Sequence, residues 1–211
     1  MIYIPKKSLL IKTNPEDPLD YYYNPFTSWF YRKRLKMAQQ FLKEEQVGRI
    51  LDIGYGCGLL MPELSRHADE VHGLDTHDKA AEVKAILGNL QVFPELVKGS
   101  IYELPYETGF FDIVVSISVM EHIKHLEKAF KEMKRITKEN GICILGFPVK
   151  NRITKMLFKA LDFNSDENHV SSHSMIIDSF KGYYHITGMN RFPGWINRDY
   201  ALYITVRGVN R

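Results

Sequence analysis

Leu51-Asp52-Ile53-Gly54-Tyr55-Gly56-Cys57-Gly58 is the stretch on which the fold turns. Arg49–Ile53 before it reads as a short apolar strand, and Leu59–His67 after it reads as a helix. Three glycines therefore stand between a strand end and a helix start. Glycine there allows a tight turn and lets the backbone come close to a ligand. The helix start offers unpaired N–H groups and the positive end of its dipole. A nicotinamide or flavin site asks for G-x-G-x-x-G, which would put glycine at position 59; Leu59 stands there instead. The spacing found is G-x-G-x-G, with an acid, Asp52, two residues ahead of the first glycine.

Working outward, the chain alternates strand and helix. Glu70–Asp75 reads as a second strand ending in an acid, and His77–Leu87 as a helix. A carboxylate at that strand end can accept both hydroxyls of a ribose, or it can cap the helix that follows. Leu96–Gly99 is a weaker strand, and Phe111–Ile117 is a buried strand rich in β-branched residues. Ile123, Leu126, Ala129, Phe130, Met133 and Ile136 recur at three and four, which predicts a helix over His122–Glu139. Asn140–Gly141 would close it in a left-handed cap before the strand Ile142–Phe147. This alternation predicts right-handed βαβ units and a parallel sheet covered on both faces. Near the end, strands Gly182–Phe192 and Tyr200–Arg207 are separated only by Pro193–Asp199. That is too short for a crossover helix, so the last two strands should pair antiparallel.

The composition is compatible with one such domain over residues 1–211. Hydrophobic residues make up 45% and charged residues 25%, enough for a real core, which excludes a wholly disordered chain. Lys+Arg 28 against Asp+Glu 25 is too even to argue for nucleic-acid binding on charge. Cys57 and Cys143 sit among apolar or glycine residues, as buried reduced thiols do. Together with a start, MIYIPKKSLLIKTNPEDP, that lacks the apolar core of a signal peptide, they lead us to expect a reducing, cytoplasmic setting.

Several ordered motifs resemble one family. Asp52-x-Gly54-x-Gly56-x-Gly58 resembles motif I of the class I S-adenosylmethionine-dependent methyltransferases, and Asp75 resembles their ribose-binding acid. Gly99-Ser100-Ile101-Tyr102-Glu103-Leu104-Pro105-Tyr106 is similar to their G-D-A-x-x-L-P-[FY] segment. Phe111–Ser116 followed by Met120-Glu121-His122, and Lys131–Ile136 through Gly141, resemble two further family segments. The likeness is strong over residues 48–147 and looser over 170–207, and is nearest to the type 11, or UbiE-like, small-molecule subgroup. It implies a Rossmann-like α/β fold: a seven-stranded, mostly parallel sheet with a final antiparallel strand and helices on both faces. Residues 1–47 would form an N-terminal lid and helical region, 48–147 the cofactor-binding core, 148–170 a helical insert, and 171–211 a C-terminal helix and β-hairpin.

The resemblance also implies a division of labour around S-adenosylmethionine, with S-adenosylhomocysteine as product. The backbone of Gly54, Tyr55, Gly56, Cys57 and Gly58, with Asp52 behind it, would hold the methionine portion. Asp75 would hold the ribose. Thr76, Ser100 and Ile101 would frame the adenine, Ser100 standing where the family usually has an acid. Ser116 and Ile117 would meet the methionine amine through backbone carbonyls. The acceptor would be a small molecule, lipid- or quinone-like among the options. The N/D-P-P-Y segment of many adenine and glutamine methyltransferases does not follow the fourth strand, and no nucleic-acid partner is expected. A rival reading keeps the fold but makes it a catalytically degenerate binding module acting through a partner.

Methyl transfer from a sulfonium asks the protein mainly for alignment and a dry pocket, and for a base only if the nucleophile must lose a proton. His122 is the first candidate base, ahead of Glu121, His125, His169 and the Tyr21–Tyr23 run. A helix-start histidine bonded to backbone is the competing reading of His122. The pairs His122/His125 and His169/His173 each lack a third ligand, so no metal is expected. Tyr21–Tyr23 and Trp29-Phe30-Tyr31 either close over the site or pack the N-terminal helix onto the domain. Asn151–Phe163 has a basic amphipathic pattern that suits a core-facing helix, a pocket wall or a peripheral membrane contact. The run Arg32-Lys33-Arg34 reads as an exposed helix face. Oligomeric state is left open.

Overall fold

The computed structural model describes residues 2–15, 17–42, 45–151, 154 and 170–211. Seven strands form one sheet: β1 (Val47–Ile53), β2 (Ala68–Asp75), β3 (Glu95–Lys98), β4 (Phe111–Ile117), β5 (Thr137–Pro148), β6 (His185–Phe192) and β7 (Tyr203–Val209). Their order is β3-β2-β1-β4-β5-β7-β6. The first five strands are parallel, and β7 runs antiparallel to both β5 and β6. The Rossmann-like sheet and its reversed last strand are as the sequence predicts. Because strand order reverses between β1 and β4, a crevice opens at their carboxyl ends, the usual ligand position in such sheets.

Successive residues of a strand point to opposite faces, so a doubly covered sheet needs apolar residues at both parities. On one face Ile50, Ile113, Val115, Ile142 and Ile144 join α1 (Ser28–Gln39), α2 (Met61–Leu64) and α3 (Ala80–Asn89). On the other, Leu51, Ile53, Val114, Cys143 and Leu145 join α4 (Leu126–Ile136) and α5 (His173–Lys181).

Four expectations are corrected locally. The helix predicted over His122–Glu139 is a 3-10 turn, Met120–His122, then extended backbone at Ile123, then α4. It stops at Ile136 because Thr137 already pairs with Phe111 in the sheet. Asn140 does take a left-handed φ of 61°, but inside a β5 bulge rather than at a helix end. Gly141 is required there, since a Cβ would lie 2.8 Å from the Lys138 carbonyl oxygen and 3.0 Å from that of Asp112. The helix after the glycine loop shrinks to the single turn of α2. Finally, α3 begins at Ala80 rather than His77, because the His77 ring accepts the Lys79 N–H at its start. Most of the expected insert at 148–170, and with it His169, lies outside the described residues.

Candidate cofactor and acceptor cavity

The glycine loop is built by its backbone. Gly54, Gly56 and Gly58 have φ of 80°, 51° and 79°, a region that costs side-chain-bearing residues dearly. The Gly54 N–H donates to the Leu74 carbonyl at 2.7 Å, tying the end of β1 to β2. A Cβ on Gly54 would lie 2.2 Å from the Val119 side chain, whereas one on Gly56 would meet nothing within 4 Å. Gly58 faces away, toward Val83 and Leu87 of α3.

Asp75 closes the loop from β2. One of its oxygens accepts the Gly56 N–H at 2.9 Å and the other the Thr76 N–H at 2.7 Å. Each carboxylate oxygen has a second lone pair for a hydroxyl. His77 stands beside it in a defined tautomer: its Nδ1 accepts the Lys79 N–H at 3.1 Å, so its Nε2–H donates to the Gly56 carbonyl at 3.2 Å. Nothing in the motif flagged His77, whose role is to clamp the loop to the start of α3. Asp52 is buried beneath the loop, and desolvation, helped by the nearby Asp75 charge, pushes its carboxyl up to about 7.

These groups border a cavity of about 740 Å³, well within the range of ligand pockets. Of the residues expected at the cofactor, the lining includes Asp52, Gly54, Tyr55, Gly56, Cys57, Asp75, Thr76, Ser100, Ile101 and Ile117. Gly58 and Ser116 are not part of it; Ser116 is fully buried in β4 with its hydroxyl unpartnered. Ser100 accepts the Tyr102 N–H at 3.3 Å, which leaves its hydroxyl proton available as a donor.

The opposite wall is N-terminal. Residues 12–15 and 17–24 border the cavity, and a buried carboxylate shapes this strap: Asp17 accepts from the Thr13 N–H, the Thr13 hydroxyl and the Leu19 N–H at 2.9–3.0 Å. Tyr22, Phe30 and Tyr31 are buried, packing the N-terminal segment onto the domain, while Trp29 is half exposed. Arg34 is the larger correction. It is buried, not on an exposed face, and lines the cavity. Its guanidinium stacks 4.1 Å from the Tyr31 ring centre and is ringed by Tyr22, Phe30 and Tyr203. One Nη donates to the Tyr22 hydroxyl at 3.2 Å, and the buried Nε–H has no acceptor. Helical spacing held the signal: position 34 falls between Phe30, Tyr31 and Ala38 on the inward stripe.

His122, Glu121 and Ser118 also line the cavity. His122 is exposed on the 3-10 turn, and Glu121 beside it is buried. Desolvation pushes the Glu121 carboxyl up to about 7 against the opposing pull of His122 and Arg34, and its Oε2 has no partner. Ser118, with φ 60°, shares a 2.8 Å hydrogen bond with the Tyr203 hydroxyl. Among the described residues no cluster of three metal-binding side chains is present.

Residues 51–145 match the family profile described as "Methyltransferase domain". That segment, slightly under half of the chain, is similar to the methyltransferase domain. The chain is 32% identical over 97 residues to a protein from Encephalitozoon cuniculi that is named as a methyltransferase, covering 44% of this chain and 46% of that one. It is 28% identical over 98 residues to the ubiquinone biosynthesis O-methyltransferase of Pelagibacter ubique, covering 46% and 41%. The matches thus span less than half the length of these relatives. The fold alone extends further: geranyl diphosphate C-methyltransferase from Streptomyces coelicolor A3(2), solved with Mg2+, geranyl diphosphate and S-adenosyl-L-homocysteine, superposes with a TM-score of 0.71 at 12% identity, covering 99% of this chain and 89% of that one.

Proposed function

We propose that this chain transfers a methyl group from S-adenosylmethionine to a small acceptor, and the observation that carries the reading is the joining of the glycine loop, Asp75 and a buried aromatic-ringed arginine in one cavity. The residues fit the cofactor. Asp75 has lone pairs for ribose hydroxyls, the open face of Gly56 admits close approach, and Ser100 and Ile101 line the wall where an adenine would be framed. When bound, the cofactor supplies an activated methyl group on a sulfonium. The protein's own part is alignment and exclusion of water, for which the strap at residues 12–15 and 17–24 and the rings of Tyr22 and Tyr31 are placed.

Two groups are placed to take a proton from an acceptor. His122 stands at the cavity wall, and Glu121, held near neutrality in its titration, can both accept and release a proton around pH 7. Arg34 carries a buried charge with no carboxylate partner among the described residues, so an acidic oxygen on the bound ligand would stabilise it. The relatives named for ubiquinone biosynthesis and geranyl diphosphate support a small acceptor that combines apolar and polar parts.

The test is thermal unfolding with S-adenosylmethionine, S-adenosylhomocysteine and NADH, followed by incubation of labelled cofactor with a metabolite extract. Stabilisation by the first two and transfer of label are expected. Stabilisation by NADH alone, or tight cofactor binding with no label transferred to any metabolite, would sink the reading. Arg34→Gln should lower affinity for the acidic ligand roughly tenfold or more, the loss of a charge-assisted hydrogen bond, as measured by calorimetry.

A further inference from the structure

We propose that the face built by the start of α1 and the β6–β7 turn docks peripherally on an anionic lipid bilayer. This inference stands apart from the methyl-transfer reading. The chain has two tryptophans, and both are more than half exposed: Trp29 at 53% and Trp195 at 85%. Phe26, one turn before Trp29, is 79% exposed. Tryptophan is highly buried on average, and exposed rings concentrate where an apolar body meets a wet edge.

Contacts join Phe26, Trp29 and Phe192, and the turn after Phe192 carries Trp195. The Trp29 ring lies 5.7 Å from Phe192 at the end of β6, and its Nε1–H donates to the Phe26 carbonyl at 2.9 Å. Trp195 follows Phe192 by three residues, in a turn that Arg191 fastens through an Nε–H bond of 3.0 Å to the Gly194 carbonyl. Cations interleave with the rings. Lys33 Nζ stands 5.6 Å from the Phe192 ring centre, Lys36 follows on α1, and Arg191 is exposed.

Their charges are unmatched. Several surface lysines elsewhere do pair with acids: Lys7 and Lys12 with Asp20, Lys79 with Glu82, Lys84 with Glu95, Lys138 with Asp112, Lys181 with Asp178. Among the described residues, Lys33, Lys36 and Arg191 have no carboxylate partner. Asp199, the carboxylate of the β6–β7 turn, is engaged by Arg198 and His173. Exposed tryptophan and phenylalanine among uncompensated cations is the composition of a membrane-interface belt. The rings sit at headgroup level, and the cations meet lipid phosphates. No described helix is long and apolar enough to cross a membrane, so the contact is peripheral. The face also adjoins the cavity through stacked rings: Phe192 lies 6.4 Å from Phe30, which lies 5.9 Å from the Arg34 guanidinium.

The two tryptophans make the test direct, because all tryptophan emission comes from this face. The full chain is mixed with vesicles of phosphatidylcholine, with and without phosphatidylglycerol. Expected are a blue shift of emission and co-sedimentation with the anionic vesicles, both weakened by salt. Lys33→Gln/Arg191→Gln should lower vesicle affinity about thirtyfold at low salt, two interfacial cations' worth, with an unchanged unfolding temperature. Trp29→Ser/Trp195→Ser should abolish co-sedimentation. Unshifted emission with no co-sedimentation, or undiminished binding by both variants, overturns the proposal. So does a dimer that the tryptophan variant dissociates while vesicles are ignored, since a second protein copy would then cover the face.

Discussion

Gly54 is where residue chemistry and fold meet most tightly. Its φ of 80° and the 2.2 Å gap between an added Cβ and Val119 mean that alanine must displace either the loop or the segment after β4. Overpacking and a left-handed alanine together should cost Gly54→Ala about 2–4 kcal/mol, or roughly 5–10 °C in unfolding temperature at this size. Differential scanning calorimetry checks it. Glu121 offers a pH signature. Its carboxyl is raised from an ordinary 4.5 to about 7, so the folded state holds a proton there that the unfolded state has released. Its stabilising contribution is full below about 4.5 and is lost as pH rises through about 7. Glu121→Gln escapes that loss, so its unfolding temperature relative to the parent should rise between pH 4.5 and 8. A constant difference across that window would show that Glu121 finds a partner in solution. Of these residues Gly54 was legible from spacing alone. Glu121 reads in sequence only as a candidate base behind His122, because its burial is a property of what packs around it.

At the scale of elements, the strap over the cavity depends on Asp17. Removing its carboxylate leaves the Thr13 N–H, the Thr13 hydroxyl and the Leu19 N–H without their acceptor. Each buried donor left unpaired costs about 1–3 kcal/mol unless water reaches it, so the strap should open rather than stay in place. Asp17→Ala is therefore expected to speed amide exchange across residues 13–24 and to weaken ligand binding, with protection in β4 and β5 little changed. Uniform loss of protection would show instead that the strap is part of the cooperative core. The strap was readable only as an aromatic, proline-punctuated segment, since its shape comes from side chain to backbone bonds that no periodicity announces. The same limit explains α4. Its apolar spacing was correct from Leu126 to Ile136, but its end was set by Thr137 entering the sheet opposite Phe111, a contact 26 residues away in sequence.

For the molecule as a whole, ligand and fold are linked. A cofactor that binds only the native state at about 100 times its dissociation constant adds about 2.7 kcal/mol, which at this chain length raises the unfolding temperature by roughly 5–10 °C. The sulfonium cofactor and its product should both do this, and NADH should not. The alternation of strand and helix, the antiparallel hairpin and the glycine loop followed from the sequence itself, because period, glycine placement and connection length are local; the order β3-β2-β1-β4-β5-β7-β6 came from the tertiary structure. The identity of the acids and glycines around the loop followed in the same way. Only the tertiary structure decided that Arg34 is a buried cavity cation rather than a surface charge, that His77 clamps the loop, and that Gly58 and Ser116 stand behind the lining. It alone brought Trp29 against Phe192, three residues before the exposed Trp195. The reason is physical: burial, partner and charge balance at a residue are set by elements distant in the chain, and a sequence lists those elements without stating which of them will touch.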